Sequence, residues 1–350
     1  MRLRKWIGFY IAIPIILITL IFSFNFIIDP YSMTAYNLLN IPNKFARDDR
    51  KEKVAKLYTE DSYTNMLFGS SHVYSINPLV AQKYLGGERS YNAGVGTARI
   101  EDHLGFLLYL KRINKLPKNI IVGLDFYSFN QNVETNKYFL VNDDLNFLHQ
   151  TADSGLYFSK FLSLDALRAS YKTLRNFLKE SKEKPRFDTY GTAGNASEIF
   201  IYYPEKKEQT SFDEEMLIKG CNDVKTIKYE TISQDRLQYI QDIMFLCKEN
   251  NIQYTFFITP LSGQLLSKIN SDSLLSSTLQ RFKSELSEIT SYYDFLTHNQ
   301  INDNRFYFGG DTMHTTTFTG NLILARIFDD KSITLPDNFG LFVPKKEVRP

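Results

Sequence analysis

Cysteine is scarce, with two residues, Cys221 and Cys247, in a chain of 350. They form no CxxC pair and no Cys/His cluster, which removes a structural zinc framework from consideration. A bridge between them stays open, because an oxidising compartment permits one. Cys247 also falls on an amphipathic stretch, where a free buried thiol is at home. Charge imbalance is lacking too: the net charge is +2 and no long basic run occurs. No nucleic-acid partner is therefore expected. A dinucleotide loop is missing, since "GVGTAR" lacks the third glycine of GxGxxG and no ribose-binding acid follows at the required distance. Asp311 and His314 have no third ligand in view, so neither a metal nor another cofactor is expected. No internal repeat or long low-complexity tract is present.

The hydrophobic content of 43% and charged content of 23% are those of a folded chain. The 28 Phe and 22 Tyr are attributed to codon bias rather than to a sugar-stacking surface. The N-terminus is more specific. Residues 6–28, "WIGFYIAIPIILITLIFSFNFII", carry no charge. At ~1.5 Å per residue they would span roughly 34 Å, enough for a bilayer core. Pro14 is tolerable in a membrane helix. Arg2, Arg4 and Lys5 precede the run, which keeps the N-terminus cytoplasmic and places the rest outside the membrane. A cleaved signal peptide would be shorter and end in an A-x-A-like site, whereas "FIIDPYS" follows here. Subtracting those three basic residues from the net +2 leaves the remainder at −1.

The chain then divides into a 1–5 tail, a 6–28 anchor and a 29–60 connector whose "NKFARDDRKEKVAKLY" reads as a solvated helix. A main domain follows over 61–335, and a tail over 336–350. Within the main domain, short apolar strands alternate with helical patterns. "TNMLFGSS", "RSYNAGVG", "KNIIVGLDFYSF", "IQYTFFITPLS" and "YYDFLT" read as strands. Apolar residues at Ile100, Leu104, Leu107, Leu108 and Ile113 mark an intervening helix. The expected class is α/β with a parallel sheet. The alternation is interrupted at about 130–230 by an irregular, mainly helical insertion.

In such sheets, ligands gather outside the carboxyl ends of the strands. The first strand ends in Gly69, Ser70, Ser71 and His72; the second in Asn92 and Gly94; the third in Asp125 and Tyr127. "GGDTMHTTTFTG" brings Asp311 and His314 to the start of the last helix. A serine, a histidine and an acid on one rim are the inventory of an activated nucleophile. Ser71 before a helix has an amide able to face developing negative charge. His314 is placed to take its proton, and Asp311, three residues earlier, to orient the imidazole. Ser70 is expected to bond locally to backbone. His103, in a helix beside Glu101 and Asp102, reads as a surface histidine, and His149 and His298 lack a motif and read as surface or structural. "NAS" at Asn195 is a chance glycosylation match.

"FGSSH", "NAGVG" and "DTMH" together resemble the blocks of the SGNH (GDSL-like) hydrolase superfamily, particularly its membrane-anchored bacterial envelope members. The likeness runs over residues 63–125 and 233–330. It implies a three-layer, flavodoxin-like sheet with Ser71 as nucleophile, His314 as base and Asp311 as acid. It also implies that the Gly94 amide serves the oxyanion hole. Hydrolytic members supply an asparagine from the third block; here Asp125 stands at the comparable strand end. An ionised carboxylate cannot donate to an oxyanion. Either Asn92 donates instead, or Asp125 has another role. Tyr127 borders the same site, and His72 faces the site or packs beside it in a secondary structural role.

The resemblance implies a single-pass, membrane-anchored acyltransferase or esterase. It would act on acyl groups, O-acetyl among them, of a cell-envelope glycan or related polymer. A multi-span membrane acyltransferase is the implied partner. An inactive binding or assembly subunit of the same fold is the alternative, and a small-lipid esterase a third reading.

Overall fold

A computed structural model of the chain describes residues 2–30, 38–39, 41, 49–140, 142, 144–147, 160–179, 190–192, 212, 214–225 and 229–347. The chain divides into two compact units, residues 1–59 with 137–185 and residues 60–136 with 186–350. The expected insertion at about 130–230 falls across both units. Its first half belongs with the N-terminal segment and its second half with the sheet. Within the sheet unit, the two ends of the irregular stretch meet at a closed base. Asn130 and Ile232 form an antiparallel bridge, and the Gln131 amide donates to the Thr231 carbonyl at 3.0 Å. Arg236 locks that base from inside. Its guanidinium donates to Glu101 at 3.2 and 3.3 Å and to the carbonyls of Asn130 and Val133 at 2.7 Å each. His149 and Asn195 lie outside the described residues.

The sheet unit contains β1 (Asn65–Phe68), β2 (Ser90–Asn92), β3 (Asn119–Leu124), β4 (Gln253–Ile258), β5 (Tyr292–Asp294) and β6 (Leu341–Val343). Their order is β2-β1-β3-β4-β5-β6. All neighbours pair parallel except β5 and β6. Five strands were legible as short apolar runs, whereas β6 lies in what reads as a tail. The open edge of β5 explains the difference. Gly340, at φ +70°, turns the chain against the Phe295 ring so that Leu341–Val343 can pair with that edge.

The two faces of the sheet are covered separately. Leu67, Ile121 and Phe257 pack with Val73, Ile76, Ala81, Leu322, Ile323, Leu324 and Ile327 in one cluster. This layer holds the helices Pro78–Leu85 and Thr317–Ile327. Phe68, pointing to the other face, meets Phe106 of the helix Ile100–Arg112 at 6.3 Å between ring centres. That helix packs along Gln234–Glu249. His103 is in this layer and only 4% exposed, so the surface expectation for it is corrected.

In the sheet order, direction of winding reverses between β1 and β3, the place where such folds leave a crevice. The chain after β1 fills the floor of that crevice with one side chain, Val73, which is fully buried. A Cβ at Gly69 would collide with Val73. At Gly94 it would come within 2.5 Å of Val73 Cγ2, and at Gly123 within 2.6 Å of Val73 Cγ1. The three glycines, from the ends of β1, β2 and β3, form the socket for one valine.

The N-terminal unit contains the helix Arg2–Ile28. Among the described residues, no helix is long and apolar enough to cross a membrane. The side chains of residues 1–9 and 11 lie outside that description. Near its end, Asn25 Nδ2 donates to the Phe161 carbonyl at 2.6 Å, and Phe22 and Phe26 pack edge-on to the Phe161 ring at 5.7 and 5.6 Å. The helix Asp49–Thr59 is not solvated as expected. Arg50, Lys53, Val54 and Leu57 are all buried. Their spacing of three and four residues puts them on one helical face. Cys247 is a free, buried thiol, and burial pushes its pKa up to about 12, while the side chain of Cys221 lies outside the described residues.

The socket makes a quantitative prediction. Gly123→Ala should cost about 1–3 kcal/mol through overpacking. Val73→Ala should cost a similar amount through the cavity it leaves. The double variant should cost less than the two together, because truncating Val73 vacates the space that a methyl group at position 123 needs. Urea unfolding of the four proteins measures the coupling.

Candidate active site

The turn after β1 spends three consecutive residues on three different partners. Ser70 is fully buried, and its hydroxyl accepts from the His72 amide at 3.1 Å, capping the short 3-10 helix Ser71–Val73. Ser71 faces the opposite way. Its Oγ lies 2.8 Å from His314 Nε2. His72 turns to Asp125, with Nδ1 2.7 Å from Oδ1.

His314 sits on a loop that is braced on both sides. Phe308 and Thr315 form an antiparallel bridge, and the Gly309 amide donates to the His314 carbonyl at 2.8 Å. Thr315 Oγ1 meets Ser75 Oγ at 2.8 Å, tying the loop to the chain just beyond Ser71. Thr316 then caps the helix Thr317–Ile327. Within the loop, Asp311 Oδ1 accepts the amides of Met313 at 2.9 Å and His314 at 2.8 Å. Its Oδ2 lies 2.7 Å from His314 Nδ1. Burial would raise the Asp311 pKa, but the His314 hydrogen bond and charge and the two amides hold it well below the usual carboxylate range. An ionised carboxylate only accepts, so Nδ1 carries the imidazole proton and Nε2 presents its lone pair to Ser71. The structure thus brings Ser71, His314 and Asp311 into one hydrogen-bonded chain.

Asn92 and Gly94 are placed differently from their expected oxyanion role. Asn92 Nδ2 donates to the carbonyls of Val73 at 2.7 Å and Ile76 at 3.0 Å, while its Oδ1 accepts the Gly94 amide at 3.0 Å. Both proposed donors are therefore consumed in holding the turn. Sterics account for Gly94, since a side chain there would strike Val73. Among the described residues the Ser71 amide has no acceptor, so it remains available for a substrate oxygen.

Asp125 is the centre of a second buried network. Its Oδ1 accepts from Thr259 Oγ1 at 2.6 Å as well as from His72, and the Tyr127 hydroxyl lies 3.4 Å from Oδ2. Ser70 also hydrogen-bonds to it. Burial would raise the Asp125 pKa, and the His72 charge and these donors lower it instead. Burial acts to lower the His72 pKa, yet the Asp125 carboxylate brings it out raised. Burial and the Asp125 charge push the Tyr127 hydroxyl strongly upward, keeping it a neutral donor. His72 packs edge-on to His314, with ring centres 5.0 Å apart. Sequence reasoning missed Thr259. The only available signal was a hydroxyl residue closing β4 just before Pro260, on the same rim as the other strand ends. His298 pairs with Asp303 at 2.9 Å on an exposed surface.

Among the described residues, no group of three or more His, Cys, Asp or Glu is placed to hold a metal ion. No protein-family model matches the chain, and no curated protein matches it.

The buried charges make stability depend on pH in both directions. Asp125 and Asp311 contribute above the unfolded aspartate value of about 3.9, and that contribution is lost as pH falls through their lower folded values. His72 contributes below the unfolded histidine value of about 6.5, and that is lost as pH rises through its higher folded value. Melting temperature should therefore decline at both ends of a pH series. Asp125→Asn should flatten the alkaline decline and reduce the acid one.

Proposed function

We propose that this chain is a serine-dependent acyltransferase or esterase of the SGNH type. Ser71 is the nucleophile, His314 the general base and Asp311 its orienting acid. The observation that carries the reading is the continuous chain from Ser71 Oγ through His314 to Asp311, at 2.8 and 2.7 Å. In acylation, Ser71 Oγ attacks the acyl carbonyl carbon and its proton passes to His314 Nε2. The carbonyl electron pair moves to oxygen, which the Ser71 amide faces. Collapse of the tetrahedral species expels the leaving alcohol, protonated by His314. A sugar hydroxyl or water then repeats the sequence in reverse on the acyl-serine.

The substrate in this reading is an acyl group, acetyl among them, on a cell-envelope glycan or related polymer. The charge-free run at 6–28 and its basic flank support a single-pass anchor with the sheet unit outside the cytoplasmic membrane. A multi-span membrane acyltransferase delivering the acyl group is the corresponding partner. These assignments rest on the resemblance and on the sequence. One observation favours the alternative of an inactive assembly subunit: Asn92 and Gly94 are both engaged, and Asp125 offers no donor.

Labelling separates the two. The full chain in detergent should react with a fluorophosphonate probe at Ser71, and Ser71→Ala should abolish the signal. His314→Ala should slow turnover of p-nitrophenyl acetate by about 10⁴-fold or more. Absence of labelling in the intact wild-type chain, or equal labelling of Ser71→Ala, selects the assembly subunit.

A further inference from the structure

We infer that His72, held by Asp125, is a further catalytic residue: its Nε2–H donates to the substrate oxygen that gains negative charge when Ser71 attacks. This inference rests on the serine-enzyme reading above.

Four observations converge on it. First, the ring is fixed. Nδ1 lies 2.7 Å from Asp125 Oδ1 and 3.2 Å from Thr259 Oγ1, and the two side chains of the pair are 3% and 2% exposed. A carboxylate at that distance requires a proton on Nδ1. Second, the other ring nitrogen is unspent. Among the described residues, His72 Nε2 has no protein partner, yet it is not one of the buried orphan atoms. The ring that carries it stands edge-on to His314 at 5.0 Å and follows Ser71 directly in the chain. Third, the other donors expected at this rim are committed elsewhere, Asn92 to Val73 and Ile76, Gly94 to Asn92. Fourth, Asp125 is built as a holder of charge. It gathers Thr259 and Tyr127 as well as His72, and so stays ionised beside a cation.

The groups facing His72 come from every element around it. Asp125 and Tyr127 follow β3, Thr259 ends β4, and His314 and Asp311 lie on the loop before the last helix. Each imidazole has its own carboxylate. When His314 takes the Ser71 proton, two imidazolium rings stand beside two carboxylates, and the new oxyanion adds one negative charge between them. Burial opposes charging His72 and the Asp125 carboxylate favours it, with a raised pKa as the outcome. The ring can then donate from both nitrogens near neutral pH. Neutral His72 with its proton on Nδ1 would present a lone pair to the oxyanion and repel it.

The experiment uses the full chain in detergent and p-nitrophenyl acetate, with variants His72→Leu, His72→Gln and Asp125→Asn. His72→Leu should lower kcat by about 10²–10³-fold with a much smaller change in KM, the loss typical of one oxyanion donor. His72→Gln, a neutral donor, should recover part of it. The alkaline limb of the kcat profile should move to lower pH in Asp125→Asn and vanish in His72→Gln. Ring-labelled histidine NMR of the wild-type chain gives a readout independent of how the variants fold. The resonance absent from His72→Gln should remain that of an imidazolium through pH 7. A His72 that is neutral at pH 7, or a kcat in folded His72→Leu within threefold of wild type, overturns the inference. Fluorophosphonate labelling of Ser71 keeps the two readings apart: intact labelling with unaffected His72 variants removes only the role of His72. Absence of Ser71-dependent labelling removes the enzyme reading, and this role with it.

Discussion

The packing of Val73 among Gly69, Gly94 and Gly123 is the constraint on which the site depends. Parallel strands end in a crevice where winding reverses, and a crevice left empty would scatter the loops around it. Here one branched side chain closes the floor. Its backbone is held as tightly, since the Val73 carbonyl accepts from Asn92 Nδ2 at 2.7 Å and from the Ile76 amide at 3.0 Å. A valine has one strongly preferred rotamer in helical backbone, so a filled socket fixes the turn as well as the side chain. Ser71 is two residues away on a turn too short to flex independently. The position of Ser71 is thus set by sterics beneath it before any hydrogen bond to His314 is made.

Above that floor, polar groups are sorted by depth. Ser70 and Asp125 are buried and fully engaged, while Ser71, Asp311 and His314 remain partly open. A buried ion pair such as His72–Asp125 adds little stability on its own, because desolvating both partners offsets their attraction. Its retention calls for full hydrogen bonding, and Asp125 has it through Thr259, Tyr127 and Ser70. Ser71, His314 and Asp311 lie nearer the rim, partly open to solvent. Thr315 joins the levels: its hydroxyl meets Ser75 on the first turn, so the His314 loop is anchored to the same piece of chain it serves.

Much of this was legible from sequence for definite reasons. The first five strands carry apolar runs that stop at Gly, Asn, Asp or Pro, and the order of "GSS" and "DTMH" survives without alignment because the triad depends on strand ends. The role of Gly94 was not legible. An amide near a nucleophile and a gap for a valine both call for glycine, and only coordinates separate them. Arg50 and Lys53 misled through composition, since a charged helix reads as solvated until its buried face is seen. β6 escaped because its three residues lie in a stretch that reads as a tail, and only the edge of β5 makes them a strand. The division of the insertion at 185 leaves no mark, for unit membership is a matter of long-range packing.

The residue that departs from the expected pattern, Asp125, gains meaning from what an asparagine there could not do. An amide at 125 could donate to a substrate oxygen directly, but it could not hold an imidazolium. An acid at 125 cannot donate, but it can keep a neighbouring ring charged and oriented. Glycine at 94 and asparagine at 92 are already bound to the geometry of Val73, so neither is free to compensate. With those positions committed, the donor that an acid at 125 makes available in the proposed reading is the one it grips, the residue next to Ser71. Departure at one strand end and the histidine in "GSSH" are then two halves of one arrangement, linked across β1 and β3 by a 2.7 Å contact.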